Sequence, residues 1–225
     1  MSSRIQNLLT LLVLAVLALA PVGEAALFAS APIPFRGTVF MTRDEALALA
    51  FPECEIERGT NYLTQEQVDE IAKLAGVKFE AKIVHPYVAR KEGKLVGTAY
   101  FDAHRVRTLR ESIMVVIQPD GKIGRIEVLS FGEPVDYIPR DSWYAQFNGN
   151  KLSDELQLKR KIKTVTGATL TARATTDGAR RILALHQTLE KIAKEKEAAR
   201  KKREEARRKK KQEEKKDPPT GPSRR

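Results

Sequence analysis

The chain is poor in the residues that most metal and nucleophilic chemistry needs. It has one cysteine, three histidines, one tryptophan and 6% aromatics over 225 residues. The lone Cys54 excludes a disulfide framework within the chain and any multi-cysteine zinc or iron–sulfur site. It reads as a small hydrophobe or a free thiol. His85, His104 and His186 are scattered, which argues against a metal site made of protein ligands alone. No triad or carboxylate pair stands out, so no catalytic residue is assigned. Long apolar runs are also scarce, with Leu8–Ala20 as the one exception, interrupted only by Thr10.

What is present is enough for one domain with additions. A hydrophobic content of 42% supports a buried core and excludes wholesale disorder. The net charge of +11 is unevenly placed: residues 190–225 hold 16 Lys/Arg against 8 Asp/Glu, and the first 25 residues hold one of each. That leaves 26–189 with 23 cations against 20 acids, so most of the basicity is a tail. At the other end, Arg4 precedes the apolar run, Pro21 breaks it, and small residues follow to Ala26. This is the pattern of a secretory signal peptide over 1–25. Thirteen helical residues reach about 20 Å, short of the ~30 Å hydrocarbon core, and an uncleaved anchor is the alternative. The absence of a nearby Cys excludes a lipoprotein anchor. The expectation is export, to the periplasm or the outer face of a membrane, which sets nucleic acid aside as a partner.

After a Pro-containing linker, 26–40, the pattern predicts an α+β domain: a small antiparallel sheet with packed helices, plus a charged helical or disordered tail. Thr42-Arg43-Asp44-Glu45 and Thr64-Gln65-Glu66-Gln67 are capping-box patterns that open two helices in a segment running over 41–79. The second helix is amphipathic, with Val68, Ile71, Ala72 and Ala75 inward and Gly76 as its stop. Strands are expected at 79–84, 94–101, 112–117 and 123–130, with the polar stretch His104–Glu111 as a loop and Pro119-Asp120-Gly121-Lys122 as a turn. A short helix follows around Trp143–Phe147. A long one begins near Ala172 and carries Ala179, Ile182, Leu183, Leu185 and Leu189 at helical spacing.

Thr166-Gly167-Ala168-Thr169-Leu170-Thr171, just ahead of that helix, is the stretch richest in chemistry. Gly167 and Ala168 let a ligand approach the backbone, and the open N–H groups of a helix start favour a phosphate. The hydroxyls of Thr166, Thr169 and Thr171 can donate, cap or accept a covalent group. A Thr-rich loop that only caps a helix explains the same residues.

The six residues resemble the flavinylation motif of the FMN-binding domain family, which includes the flavin subunits of the sodium-pumping quinone reductase and of the related ferredoxin-oxidising membrane complex. Such a match arises by chance about once in a thousand chains of this length. Glu133-Pro134 and Trp143-Tyr144-Ala145-Gln146-Phe147-Asn148-Gly149 resemble the family's second loop, with a Glu and then an aromatic–Gln-Phe-x-Gly segment. The resemblance spans roughly 80–189 and implies covalent FMN, esterified through its phosphate to Thr169 by a flavin transferase. It implies an extracytoplasmic electron carrier working with redox partner proteins, in which the cofactor supplies the redox chemistry. Many members have an Asp three residues before the motif; here that position is Lys163.

Several residues keep two readings. Trp143 either shields a flavin or anchors the core, and Glu133 either orients the loop or bonds the flavin, if it is not simply a surface acid. The His104-Arg105-Val106-Arg107-Thr108 run either steadies an anionic flavin or is a solvated face. The tail over 190–225 reads as a solvated helix with i,i+4 pairs, or as a patch attracted to an anionic membrane surface. A non-redox envelope-binding module docked by that tail is the competing function. A flavin-dependent reductase with its own small substrate is a third.

Overall fold

The computed structural model describes residues 37–216. The expected signal segment, most of the linker and the end of the tail, 217–225, lie outside the described residues.

Two helices are started by local chemistry. At α1 (Arg43–Ala50), Thr42 Oγ1 accepts from the Glu45 N–H at 3.3 Å while the Glu45 carboxylate accepts from the Thr42 N–H at 2.7 Å. Thr64 and Gln67 repeat the arrangement at α2 (Gln65–Ala75), which Gly76 closes. Each box satisfies two N–H groups, and the cap alone is worth about 1 kcal/mol. Val68, Ile71 and Ala75 form the buried stripe of α2.

The strands are β1 (Thr38–Val39), β2 (Glu55–Arg58), β3 (Asn61–Tyr62), β4 (Ile83–Val84), β5 (Tyr87–Lys91), β6 (Lys94–Arg105), β7 (Arg110–Ile117) and β8 (Ile123–Phe131). Six of them form one antiparallel sheet in the order β1-β8-β7-β6-β5-β2, and β3 pairs with β4 apart from it. Successive strands β5 to β8 are joined by tight turns, which confirms the antiparallel meander. At the β7–β8 turn the Gly121 N–H donates to Gln118 O at 2.9 Å and the Asp120 side chain accepts from Lys122 N–H. The central strand β7 is buried on both faces. Ile113, Val115 and Ile117 join one core cluster with α2, while Met114 and Val116 join a second with Ala46, Leu47 and Phe51 of the α1 region.

After β8 the chain makes a 3-10 turn (Val135–Tyr137), the short α3 (Asp141–Tyr144), a second 3-10 turn (Ala145–Phe147) and a loop, before α4 (Thr169–Lys216). Ala179, Ile182, Leu183 and Leu185 of α4 pack into the first cluster. Its 48 residues extend about 72 Å. Lys191 reaches Glu70 of α2 at 2.8 Å, and beyond that i,i+4 pairs such as Lys201–Glu197 at 3.0 Å line an exposed rod. Among the described residues, no helix is long and apolar enough to cross a membrane.

The α+β expectation holds, with corrections in detail. His104 and Arg105 belong to β6 and Arg110 and Glu111 to β7, so the expected His104–Glu111 loop shrinks to residues 106–109. The cause is cross-strand: His104 stands directly opposite Glu111, and the pair extends the ladder. Of the strand expected at 79–84 only Ile83–Val84 pairs, because its partner β3 is two residues long. β1, β2, β3 and β5 are additional strands. The long helix begins at Thr169, three residues before the expected Ala172.

Candidate functional site

The loop ahead of α4 is shaped by Gly167. Its φ of +84° lies in the left-handed region, and a Cβ built there meets nothing within 4 Å, so the demand for glycine is conformational. Ala168 is buried and its carbonyl accepts the first helical bond, from the Ala172 N–H at 2.9 Å. The N–H groups of Thr169, Leu170 and Thr171 therefore have no intrahelical acceptor. Thr169 is exposed and its hydroxyl makes only a long bond to Val165 O, 3.3 Å. Thr171 is the opposite: it is 1% exposed and donates to Tyr137 O at 2.6 Å, which ties the helix start to the 3-10 turn after β8. Leu170 is half exposed, and Thr166 faces solvent.

Thr169 stands between two cavities. One, of about 250 Å³, is bounded by Val106, Arg107, Glu133, Tyr137 and the 167–171 loop. The other, of about 340 Å³, includes Thr164, Lys159, Arg173, Asp177 and Arg180. Glu133 builds the first wall rather than presenting a free acid. Its Oε1 accepts from the Leu109 and Thr108 N–H groups, each at 2.7 Å, and from the Thr108 hydroxyl at 3.1 Å. Those bonds, Leu109 first, hold its carboxyl below the usual range and fix the β6–β7 tip that carries Arg107.

Trp143 is buried and lines neither cavity. Its ring packs edge-on against Tyr144 and Phe147, and its indole N–H donates to Lys163 O at 2.7 Å. Gln146 Oε1 accepts from the Lys163 N–H at 2.9 Å. Trp143 and Gln146 thus hold both backbone groups of Lys163, three residues before Thr166. The Lys163 side chain itself is exposed.

Beneath this surface lies a group that sequence reasoning missed. His104 bridges Asp102 Oδ2 at 2.7 Å and Glu111 Oε2 at 2.8 Å. Arg181 of α4 donates to Asp102 at 2.7 Å, and Thr175 donates to Glu111 at 3.0 Å. Burial by itself would lower the His104 pKa, but the bonds to Asp102 and Glu111 and their charges raise it to about 9. Burial would raise Asp102; hydrogen bonds from His104 and Arg181 outweigh it and bring it to about 2. Gly178 makes this packing possible, since a Cβ there would lie 3.0 Å from Asp102 Oδ2 and 3.3 Å from the His104 ring. Glu111 Oε1 and the Tyr144 hydroxyl are buried without a hydrogen-bond partner among the described residues. Burial, with Glu111 close by, raises the Tyr144 pKa. Only the alternation of Asp102 and His104 on one face of a strand hinted at this cluster. The other two histidines are apart from it: His85 contacts Thr60 at 3.1 Å and His186 contacts the Tyr100 hydroxyl at 2.9 Å.

Fold and loop together define a class: a small α+β domain in which a helix start, a free hydroxyl and two flanking cavities suit a ligand with a phosphate and a planar ring. Similarity to known proteins makes this specific. Residues 111–184 match the family model described as FMN-binding domain, a stretch that contains Glu133, Trp143 and Thr166–Thr171. That stretch, about a third of the chain, is similar to an FMN-binding domain. The chain is also 24% identical over 143 residues to the G subunit of the Na(+)-translocating ferredoxin:NAD(+) oxidoreductase complex of Acetobacterium woodii. That alignment covers 56% of this chain and 66% of the relative, so the chain spans just under two thirds of the relative's length.

The residues present fit FMN. The Thr169 hydroxyl, at the open start of α4, is suited to a phosphate, while Val106, Tyr137 and Leu170 offer apolar and aromatic surface to a ring.

Proposed function

We propose that this protein is an extracytoplasmic electron-transfer flavoprotein that carries FMN covalently through a phosphoester on Thr169. The observation that carries the reading is the position of Thr169: an exposed, weakly bonded hydroxyl at the start of α4, between two cavities, inside the matched FMN-binding domain. Thr171, with the same functional group two residues on, is buried and committed to Tyr137, and Thr166 lines neither cavity. In maturation by a flavin transferase, the Thr169 oxygen would form the bond to phosphorus. Its proton and the leaving group of an activated flavin phosphate would depart, with no redox change.

When bound, the flavin supplies the electron-transfer chemistry. The chain's own residues hold its phosphate, flank its ring and fix the surrounding loops through Glu133, Trp143 and Gln146. The name of the Acetobacterium woodii relative, a subunit of an oxidoreductase complex, supports redox partner proteins for this chain too. In this reading residues 1–25 direct export and 26–40 link to the body. The helical segment 41–79 and the domain over 80–189 work outside the cytoplasm, with the basic residues from 190 onward facing an anionic membrane surface or a partner. A covalent bond keeps FMN where lost cofactor is not readily recaptured.

The test is intact mass and absorbance of the exported protein made together with a flavin transferase. The expected protein is yellow after denaturation, carries the added mass of one FMN, and has lost residues at its N-terminus. Thr169→Ala removes the added mass, whereas Thr166→Ala retains most of it. A colourless, unmodified protein made with ample riboflavin would refute the proposal.

A further inference from the structure

We propose that the cavity on the Arg173 side of Thr169 is the phosphate subsite of this FMN-binding domain, built from Arg173, Lys159 and the buried Arg180. The flavin ring then belongs in the cavity on the Arg107 side. The inference rests on the reading of FMN attachment at Thr169 and specifies how this chain divides the cofactor.

Arg180 is the strongest sign. It is 3% exposed, yet among the described residues no carboxylate lies within salt-bridge distance of it. Its Nε donates to Ala75 O at 2.7 Å, and its Nη1 donates to Ser153 O at 2.6 Å and Leu156 O at 3.2 Å. The remaining nitrogen, Nη2, has no acceptor among the described residues and lies beside Gly76, which lines the cavity. A guanidinium cannot shed its proton, and Asp177, the acid that shares this cavity with it, lies beyond salt-bridge distance. The fold therefore holds a fixed positive charge toward this space.

Two further cations converge there. Arg173 lies one helical turn after Thr169, and helical side chains lean toward the N-terminus, so Arg173 leans toward the Thr169 hydroxyl. Lys159 has a left-handed backbone, φ +66°, closed by its N–H to Ile162 O at 3.0 Å, which places it at the rim. One acid, Asp177, opposes these three cations, and burial raises its pKa. The other cavity has no such excess. It pairs one cation, Arg107, with Glu133, and its remaining walls include Val106, Tyr137 and Leu170. A dianionic or monoanionic phosphate is favoured on the first side and a flat, mostly apolar ring on the second. Neither cavity is large by the standard of cofactor pockets, about 300–1,000 Å³, so a flavin mononucleotide needs both.

The test compares FMN with riboflavin, which lacks the phosphate, on the full chain produced without a flavin transferase. Flavin fluorescence quenching at low salt gives both affinities. FMN is expected to bind about tenfold or more tightly than riboflavin. Inorganic phosphate should compete with FMN and leave riboflavin unaffected. The double variant Arg173→Gln/Lys159→Gln should reduce the preference to about threefold or less. Lys122→Gln, in the distant β7–β8 turn, should leave it unchanged. Arg180 is kept because it also holds three carbonyls, so the fold is not put at risk. Equal affinities, no measurable binding of FMN, or a preference that survives the double variant would each overturn the subsite. Intact mass of protein made with the transferase is read in parallel. Covalent FMN with a flat FMN-to-riboflavin ratio means the attachment stands and the subsite is wrong. The expected ratio without covalent FMN means the subsite stands and the attachment reading fails.

Discussion

Replacing His104 with Gln should expose how much the buried cluster under the site contributes. The substitution removes the cation between two carboxyl groups. Asp102 keeps Arg181 at 2.7 Å, but Glu111, whose side chain is 0% exposed, keeps only the Thr175 hydroxyl at 3.0 Å. Its Oε1 already lacks a partner. Removing one member of a buried ion pair costs roughly 3–5 kcal/mol, and Gln can still donate one hydrogen bond, so a loss of about 3 kcal/mol at pH 7 is expected. With a urea m-value of about 2 kcal/mol/M, the midpoint should fall by about 1.5 M.

The pH dependence is more diagnostic than the size. The His104 pKa rises from 6.5 to about 9 on folding, so the stability it adds, about 3 kcal/mol, is full below pH 6.5 and is lost as pH climbs through 9. Asp102, lowered from 3.8 to about 2, acts at the other end: its share is present above pH 4 and is lost as pH falls toward 2. His104→Gln should therefore flatten the decline between pH 6.5 and 10. Urea titrations followed by fluorescence of Trp143, the sole and buried tryptophan, report it directly. Adding Glu111→Gln to His104→Gln should recover part of the loss, because no buried charge is then left unpaired. If His104→Gln follows the unaltered protein's pH profile, or costs under about 1 kcal/mol at pH 7, the cluster is not the charged unit described.

Two other substitutions probe the supports of the loop. Trp143→Phe keeps most of the ring but strips Lys163 O of its indole donor; a loss of about 1–2 kcal/mol is expected in thermal melts, with faster proteolysis near Lys163. Gly178→Ala should destabilise by about 1–3 kcal/mol, although Ala is the better helix former by ~1 kcal/mol, because the new methyl meets Asp102 and His104; a rise in melting temperature would show that α4 is not packed as closely as described.

What could be read from the sequence follows the reach of each interaction. Both capping boxes were legible because they join residues three apart, and the Thr166–Thr171 loop was legible because its residue types and order are contiguous. β5 left a signal that is only half used: Lys91-Glu92-Gly93 reads as a separator between strands, but a turn with positive φ at Glu92 and Gly93 calls for a strand directly before it, not one ending at 84. β2 left none. Its Glu-Ile-Glu-Arg is exposed throughout, and it is a strand because β5 offers it an edge. The buried cluster was beyond sequence reasoning for the same reason. Hairpin register sets His104 against Glu111, but only tertiary packing brings Arg181 to Asp102 across 79 positions.

The helix α4 begins at Thr169 and runs without interruption to Lys216. The residue assigned to the cofactor and the charged rod beyond Ile192 are thus two ends of one stiff lever, clamped at its middle by the sheet and by Lys191 on Glu70. Torque applied to the outer arm, about 36 Å long, travels along continuous backbone bonds to Thr169, with no loop to absorb it. With the flavin on Thr169 as proposed, whatever grips the tail also steers the angle at which the cofactor is presented.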